Sequence, residues 1–122
     1  MIWSGEKVLL VRTSYQSVWM APGGGVKQGE PPVNAAIREV AEELGLQLGI
    51  DDLRLVLVVE HEWNNRHDKV HLFETRLSHR PAIRIDNREI IDAQFVTLAE
   101  ACSFDLAPHL RDYFQLKQSW PS

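Results

Sequence analysis

A segment rich in carboxylates, directly after a glycine-rich turn, constrains this chain more than any other stretch of its sequence. From about residue 33, apolar side chains recur at the spacing of a helix that packs one side against a core. These residues are Val33, Ile37, Val40 and Leu44. Three acidic side chains, those of Glu39, Glu42 and Glu43, fall on roughly the opposite side. At this spacing the like charges repel one another.

The end of the predicted helix makes this crowding less favourable. Gly45 is the natural stop, so Glu42 and Glu43 fall in the last turn, where unpaired carbonyls favour cations. A solvated acidic face is the ordinary explanation of such a run of charge. A divalent cation with oxygen ligands would relieve both penalties, and the glycine turn can bring backbone groups close to it. We therefore expect a metal site at this helix end.

The same residues resemble the signature of the Nudix (MutT-like) hydrolases. That signature is a glycine, five residues, a glutamate, seven residues, and then Arg-Glu-apolar-x-Glu-Glu-x-Gly-apolar. The matching residues are Gly24, Glu30, Arg38, Glu39, Val40, Glu42, Glu43, Gly45 and Leu46. A pattern that fixes nine positions is far more specific than a short glycine motif. The resemblance implies one Nudix hydrolase domain over residues 1–122, with its Nudix box at residues 24–46.

Composition and charge limit the classes of protein that this chain can belong to. Its 122 residues, 44% apolar and 25% charged, are ordinary for one globular domain. No apolar run approaches the ~18 residues of a membrane span, and the start of the chain lacks the layout of a secretory signal. A single cysteine, Cys102, fits a reducing cytoplasm. A net charge of −4 argues against sequence-independent binding to nucleic acid polymers.

The pattern of strands and helices predicts an α/β fold. Apolar strands are expected at residues 7–12, 53–60 and 70–77 and within 89–98, with a polar loop or hairpin tip at 61–69 and a closing helix at 105–117. This order favours a mixed sheet between helical layers, and the Nudix resemblance implies the same α/β/α sandwich. Nudix domains usually have a strand before residue 7, so the first strand is expected to be short or missing. A homodimer is one way to cover the resulting edge.

The resemblance also implies roles for the acidic residues. Glu39, Glu42 and Glu43 would be carboxylate ligands of Mg²⁺ or Mn²⁺, with the carbonyl of Gly24 completing part of the shell. A carboxylate beside such an ion is placed to accept a proton from water. Glu42 or Glu43 is the candidate base. Relatives differ on this point, and Glu89 lies where a distant acidic residue is often found.

Six other residues are candidates for positioning or for substrate binding. Arg38 either pairs with a neighbouring glutamate, as the family pattern implies, or contacts phosphate directly. Glu30 is expected to brace the glycine loop by accepting backbone amides. Arg12 and Lys27 are candidates for contacts to substrate phosphates, with plain surface charge as the alternative. Trp19 and Trp63 are candidates for the substrate pocket, although Trp19 also fits the core.

The function that these features predict is metal-dependent hydrolysis of a phosphoanhydride bond. The substrate class would be a small nucleotide, a nucleoside diphosphate linked to another group, such as a (d)NTP. A non-catalytic Nudix-fold binding or regulatory module is the alternative, but it would be expected to have lost box carboxylates. An isomerase acting on isoprenoid diphosphates would need cysteine and histidine metal chemistry that one cysteine hardly supports. The sequence does not select one substrate.

Overall fold

The computed structural model describes residues 1–63 and 65–119, and the side chains of Trp63, Arg66, Asp68 and Ser119 fall outside this description. Its strands are β1 (Ile2–Ser4), β2 (Lys7–Thr13), β3 (Trp19–Met20), β4 (Arg54–Trp63), β5 (Arg66–Leu77) and β6 (Ile90–Val96). Its helices are α1 (Pro32–Leu44), α2 (Leu98–Ala101) and α3 (Pro108–Ser119), and a 3₁₀ turn occupies Ile50–Asp52. Strands therefore flank the predicted box helix on both sides in the chain.

The six strands found among these residues form one mixed sheet. Its order is β3-β2-β1-β5-β4, and β6 pairs with β2. β1 lies parallel to β5 and antiparallel to β2, so that Trp3 faces Arg76 on one side and Val8 on the other. The mixed sheet and the short first strand are both confirmed.

Each face of the sheet carries its own apolar cluster, because successive side chains of a strand point to opposite faces. On β2, Val8 and Leu10 belong to the cluster that also holds Leu110 and Tyr113 of α3. Leu9 and Val11 belong to the other cluster, which includes Val40 and Leu44 of α1. α1 and α3 thus cover opposite faces, and the predicted α/β/α sandwich is confirmed.

The ends of the helices follow from local sequence. Pro32 occupies the first position of α1, where its missing N–H costs nothing. α2 begins after Thr97, which forms a capping box with Glu100. Within the described part of the chain, no helix combines the length and the apolar character that crossing a bilayer requires.

The polar segment at residues 61–69 is mostly strand, so the expected loop is much shorter than predicted. β4 continues to Trp63 and β5 begins at Arg66. Opposite charges face each other across the two strands at Glu60 and Lys69. The side chains of Glu60, Glu62, His67 and Lys69 are exposed, and a strand exposed in this way need not show an apolar pattern.

Candidate active site

The C-terminal end of α1 concentrates negative charge. Gly45 adopts a left-handed conformation with φ of 68°, and its N–H donates to the carbonyl of Ala41. The last turn of α1 contains Glu42 and Glu43 but no basic residue. These carboxylates therefore lie at the negative end of the helix dipole without a cation in that turn.

Three carboxylates meet beside this helix end, and we call them the carboxylate cluster: Glu39, Glu43 and Glu89. One oxygen from each lies within 4.8 Å of the others. Glu43 is 4% exposed, whereas Glu89 is exposed on the loop before β6. Burial, together with repulsion by Glu39 and Glu89, raises the pKa of Glu43 to about 8, although the hydrogen bond from Gly23 acts to lower it. Bound cations would favour the ionised form of this carboxyl group.

The glycine-rich loop packs directly against the carboxylate cluster. The N–H of Gly23 donates to Oε1 of Glu43 at 3.1 Å, and Gly23 has a φ of 138° that side chains rarely adopt. A Cβ atom added at Gly24 would lie 2.7 Å from Oε2 of Glu39, closer than van der Waals contact allows. Glycine at position 24 therefore lets the backbone approach the carboxylates.

Arg38 links the glycine loop to the cluster through its guanidinium group. It donates to Glu30 at 2.9 and 3.0 Å, to Oε1 of Glu39 at 2.8 Å and to the carbonyl of Gly25 at 3.1 Å. Hydrogen bonds from Arg38 lower the pKa of Glu30 to about 2. Glu30 also accepts the N–H of Lys27 at 3.1 Å, as expected for a residue that braces the loop. Of the two roles considered for Arg38, the structure shows the pairing with glutamate.

Glu42 lies outside the carboxylate cluster, although it was expected beside Glu39 and Glu43. Its side chain is 59% exposed and reaches Arg38 at 3.5 Å. The helix geometry explains the difference. Relative to Glu39, Glu43 is four positions on and is rotated about the helix axis by about 40° in one direction. Glu42 is three positions on and is rotated by about 60° in the other direction. Glu43 is turned into the protein and Glu42 into solvent.

Comparison with known proteins identifies the family. The model of the NUDIX domain matches residues 1–117. The chain belongs to the Nudix family. It is 41% identical over 63 residues to mouse (Mus musculus) diphosphoinositol polyphosphate phosphohydrolase 3-alpha. The matched segment covers 51% of this chain and 37% of that protein. It is 36% identical over 105 residues to the uncharacterized Nudix hydrolase orf19 of Rhodococcus erythropolis, with 81% of this chain and 51% of that protein covered.

Solved structures show the same fold. A C. elegans Ap4A hydrolase binary complex superposes with a TM-score of 0.80 at 20% identity, covering 97% of this chain and 90% of that one. The two curated relatives are matched over much less of their length, since the chain spans between 37% and 51% of them. The family and the fold are thus shown for this chain. The activities of those longer proteins are not assigned to it, because the match covers only part of their length.

The predicted substrate residues of this Nudix chain do not join the carboxylate cluster. Arg12 and Trp19 face each other across β2 and β3, with the guanidinium carbon 5.9 Å from the ring centroid. Trp19 packs edge-on against Phe104 with the ring centroids 5.1 Å apart, on the face of the sheet that α3 covers. Lys27 is exposed on the loop after the glycines. The side chain of Trp63 lies outside the described residues.

Sequence reasoning missed a second buried carboxylate, Glu74, which lies on the α3 face. It is 6% exposed and pairs with Lys117 at 2.7 Å and with Arg54 at 3.0 Å, and it also accepts the hydroxyl of Tyr113. Strand alternation was the available signal, because it places Glu74 on the same face as Leu72 of the core.

A cavity of about 630 Å³ opens beside Glu74 and is also lined by Trp3, Arg54, Arg76 and Lys117. It shares no residue with the carboxylate cluster. Two of its cations, Arg54 and Lys117, are already engaged by Glu74. The carboxylates to which the sequence analysis assigns the chemistry therefore lie at the end of α1 and do not line this cavity.

Proposed function

We propose that this Nudix chain hydrolyses a phosphoanhydride bond in a nucleoside diphosphate linked to another group, with a (d)NTP or a related nucleotide as the substrate class. The observation that carries the proposal is the carboxylate cluster. Three side chains that repel one another converge within 4.8 Å, and one of them is buried. Such an arrangement costs free energy unless a cation joins it.

The donor set fits Mg²⁺ or Mn²⁺. Both ions prefer hard oxygen ligands, and Glu39, Glu43 and Glu89 offer three carboxylates beside a backbone that approaches closely at Gly24. When bound, such an ion neutralises phosphate charge and makes water more acidic. We assign Glu39, Glu43 and Glu89 to holding it.

The protein's own groups would then orient the substrate and move a proton. Arg38 holds Glu39 and the glycine loop in place through its hydrogen bonds. A carboxylate of the site would accept the proton of the attacking water. Glu42, Glu43 and Glu89 all remain candidates for this base, and the cluster geometry favours Glu43 and Glu89, since Glu42 is exposed and bonded to Arg38.

The similar proteins support the reaction class and not one substrate. The mouse relative and the C. elegans structure carry names that refer to different substrates, diphosphoinositol polyphosphate and Ap4A. Groups beyond the scissile phosphates are read by loops and by aromatic side chains, for which Trp19 remains a candidate. Arg12 and Lys27 remain candidates for contacts to the substrate phosphates.

The test is turnover of a substrate panel with the purified chain. The panel would contain dNTPs, ADP-ribose and a dinucleoside polyphosphate, and release of nucleoside monophosphate, phosphate and pyrophosphate would be measured with Mg²⁺ and then with EDTA. We expect Mg²⁺-dependent release from at least one nucleotide, abolished by the chelator.

Two results would contradict the proposal. Turnover that survives EDTA would rule out the role of the metal. Tight nucleotide binding by calorimetry without turnover of any substrate would indicate a non-catalytic Nudix module, the alternative function.

A further inference from the structure

The loop that carries Glu89 is joined to the end of α1 by backbone hydrogen bonds. The N–H of Arg84 donates to the carbonyl of Leu44 at 3.0 Å, and the N–H of Asp86 donates to the carbonyl of Glu43 at 3.2 Å. Carbonyls in the last turn of a helix have no partner within the helix, so the loop supplies donors that the helix end needs. The loop and the helix end therefore hold their positions together.

Gly45 permits this close approach. Its φ of 68° turns the chain out of α1, and a Cβ atom at this position would lie 3.4 Å from Cβ of Arg84. The loop thus packs tightly against the point where the helix ends. Two ligand-bearing segments that are distant in sequence become neighbours through main-chain contacts.

The side chain of Asp86 closes the turn in which Glu89 lies. Its Oδ1 accepts the N–H of Arg88 at 3.1 Å and the N–H of Ile90 at 2.9 Å, one residue on each side of Glu89. Asn87 has a φ of 58°, and its N–H donates to the carbonyl of Ile90 at 3.1 Å. A carboxylate that accepts amides two and four residues ahead fixes a tight local turn.

A second contact holds the other side of this turn. The carbonyl of Glu89 accepts the N–H of Ser14, which follows β2, at 2.8 Å. Asp86 bonds to α1 through its own N–H, and its side chain accepts the amides of the residues just before and after Glu89. The backbone of Glu89 is therefore held against both α1 and the sheet. The side chain of an exposed residue is thereby directed at Glu39 and Glu43.

We propose that Asp86 is a positioning residue for Glu89. Its side chain holds the turn that places the Glu89 carboxylate in the cluster, and it contributes no oxygen to the cluster itself. This inference rests on the proposed function, since it assumes that the cluster binds a divalent cation. Partners that orient a metal ligand typically change metal affinity or activity by about 10- to 100-fold when they are removed.

The test compares Asp86→Ala with Asp86→Asn, because only asparagine keeps the oxygen that accepts both amides. Mn²⁺ affinity is measured by calorimetry without substrate, and kcat and KM are measured at saturating Mg²⁺. We expect Asp86→Ala to weaken Mn²⁺ binding by about tenfold and to lower kcat more than it changes KM. Asp86→Asn should stay within about twofold of the parent protein. Asp51→Ala, which removes an exposed carboxylate from the 3₁₀ turn, is the matched control.

A double mutant shows whether Asp86 acts through Glu89. In a Glu89→Gln background, Asp86→Ala should add no further loss of Mn²⁺ affinity, because the carboxylate that it positions is gone. Equal losses for Asp86→Ala and Asp86→Asn would overturn the inference in favour of a charge effect. A further loss in the Glu89→Gln background, or no loss in Asp86→Ala, would also overturn it.

The same measurements separate this inference from the proposed function. If the parent protein binds Mn²⁺ but turns over no nucleotide, the proposed hydrolysis fails while the Mn²⁺ titrations still decide the role of Asp86. If hydrolysis is found and Asp86→Ala behaves as the parent protein does, only the positioning role fails. Thermal unfolding of each variant checks that the affinities refer to folded protein.

Discussion

Two glutamates of similar burial lie on opposite faces of the sheet, and their surroundings differ in sign. Glu43 is 4% exposed and Glu74 is 6% exposed. Glu74 is surrounded by donors and cations, with Lys117 at 2.7 Å and Arg54 at 3.0 Å. Glu43 accepts the N–H of Gly23 at 3.1 Å but has two other carboxylates within 4.8 Å. Glu74 alone is paired with two cations, whereas in the carboxylate cluster Arg38 pairs with Glu39 and not with Glu43.

The pKa values of the two carboxyl groups move in opposite directions for this reason. Burial and, to a smaller extent, repulsion from Glu39 and Glu89 together raise the pKa of Glu43 to about 8. Burial also acts to raise the pKa of Glu74, but hydrogen bonds from Lys117 and Tyr113 outweigh it and the pKa is lowered. Burial of a glutamate therefore does not by itself distinguish a structural role from a functional one. The charge of its neighbours does, because no cation among the described residues pairs with Glu43.

Exchanging each glutamate for glutamine should give opposite phenotypes. Glu43→Gln should lower kcat/KM for the nucleotide substrate by about 10³-fold while the protein stays folded, because a ligand or base of the site is lost and a repulsion is relieved. Glu74→Gln should lower the free energy of unfolding by about 3 kcal/mol, because Lys117 and Arg54 lose the buried negative charge that they pair with, while turnover per folded molecule is kept. Initial rates and urea unfolding measure the two effects.

This exchange can fail in two informative ways. A Glu43→Gln protein that unfolds more easily would show that Glu43 stabilises the fold, as Glu74 does. A Glu74→Gln protein that is stable but inactive would place function on the α3 face, beside the cavity. Either result would end the distinction between the two sites.

A pair of adjacent glycines tests how closely the loop must approach the cluster. Gly24→Ala should reduce Mg²⁺-dependent turnover by about 10- to 100-fold, because its Cβ would lie 2.7 Å from the Glu39 carboxylate and displace it. Gly25→Ala is the matched control, since a Cβ there meets nothing within 4 Å. Equal activity of the two variants would show that the close contact at position 24 has no role in the reaction.

The sequence predicted the parts of this comparison that depend on local spacing. The box helix and its stop at Gly45 follow from residues at fixed intervals. The Nudix resemblance pointed to Glu39, Glu43 and Glu89, and the structure brings one oxygen of each within 4.8 Å of the others. The separation of Glu42 from Glu43 was not predicted. It depends on which side of α1 faces the sheet. The spacing of the apolar residues defines that side only to within about the rotation of one residue around the helix axis.

The Glu74 site was harder to predict because it is assembled from three elements. Arg54 belongs to β4, Glu74 to β5 and Lys117 to α3, so no interval along the chain relates them. Arg12 and Trp19 illustrate the same limit. Their place on the α3 face depends on strand register, and a shift of one residue would have moved both side chains to the face of α1.

A further predicted effect is the pH dependence of stability that Glu43 introduces. Its pKa is about 8 in the folded protein, against an ordinary value of 4.5, so between these pH values the folded state holds a proton that the unfolded chain has released. The unfolded state then binds fewer protons, and the free energy of unfolding falls as the pH rises from about 4.5 to about 8.

Glu43→Gln removes this titration, so the variant should gain stability relative to the parent protein as the pH rises. Urea unfolding in EDTA across this range measures the difference, with Glu42→Gln as the control because Glu42 is 59% exposed. If the free energy of unfolding varies with pH in the same way for the parent protein and Glu43→Gln, burial and repulsion do not hold a proton on Glu43. Glu43 and Glu74 would then differ only in the geometry of their contacts.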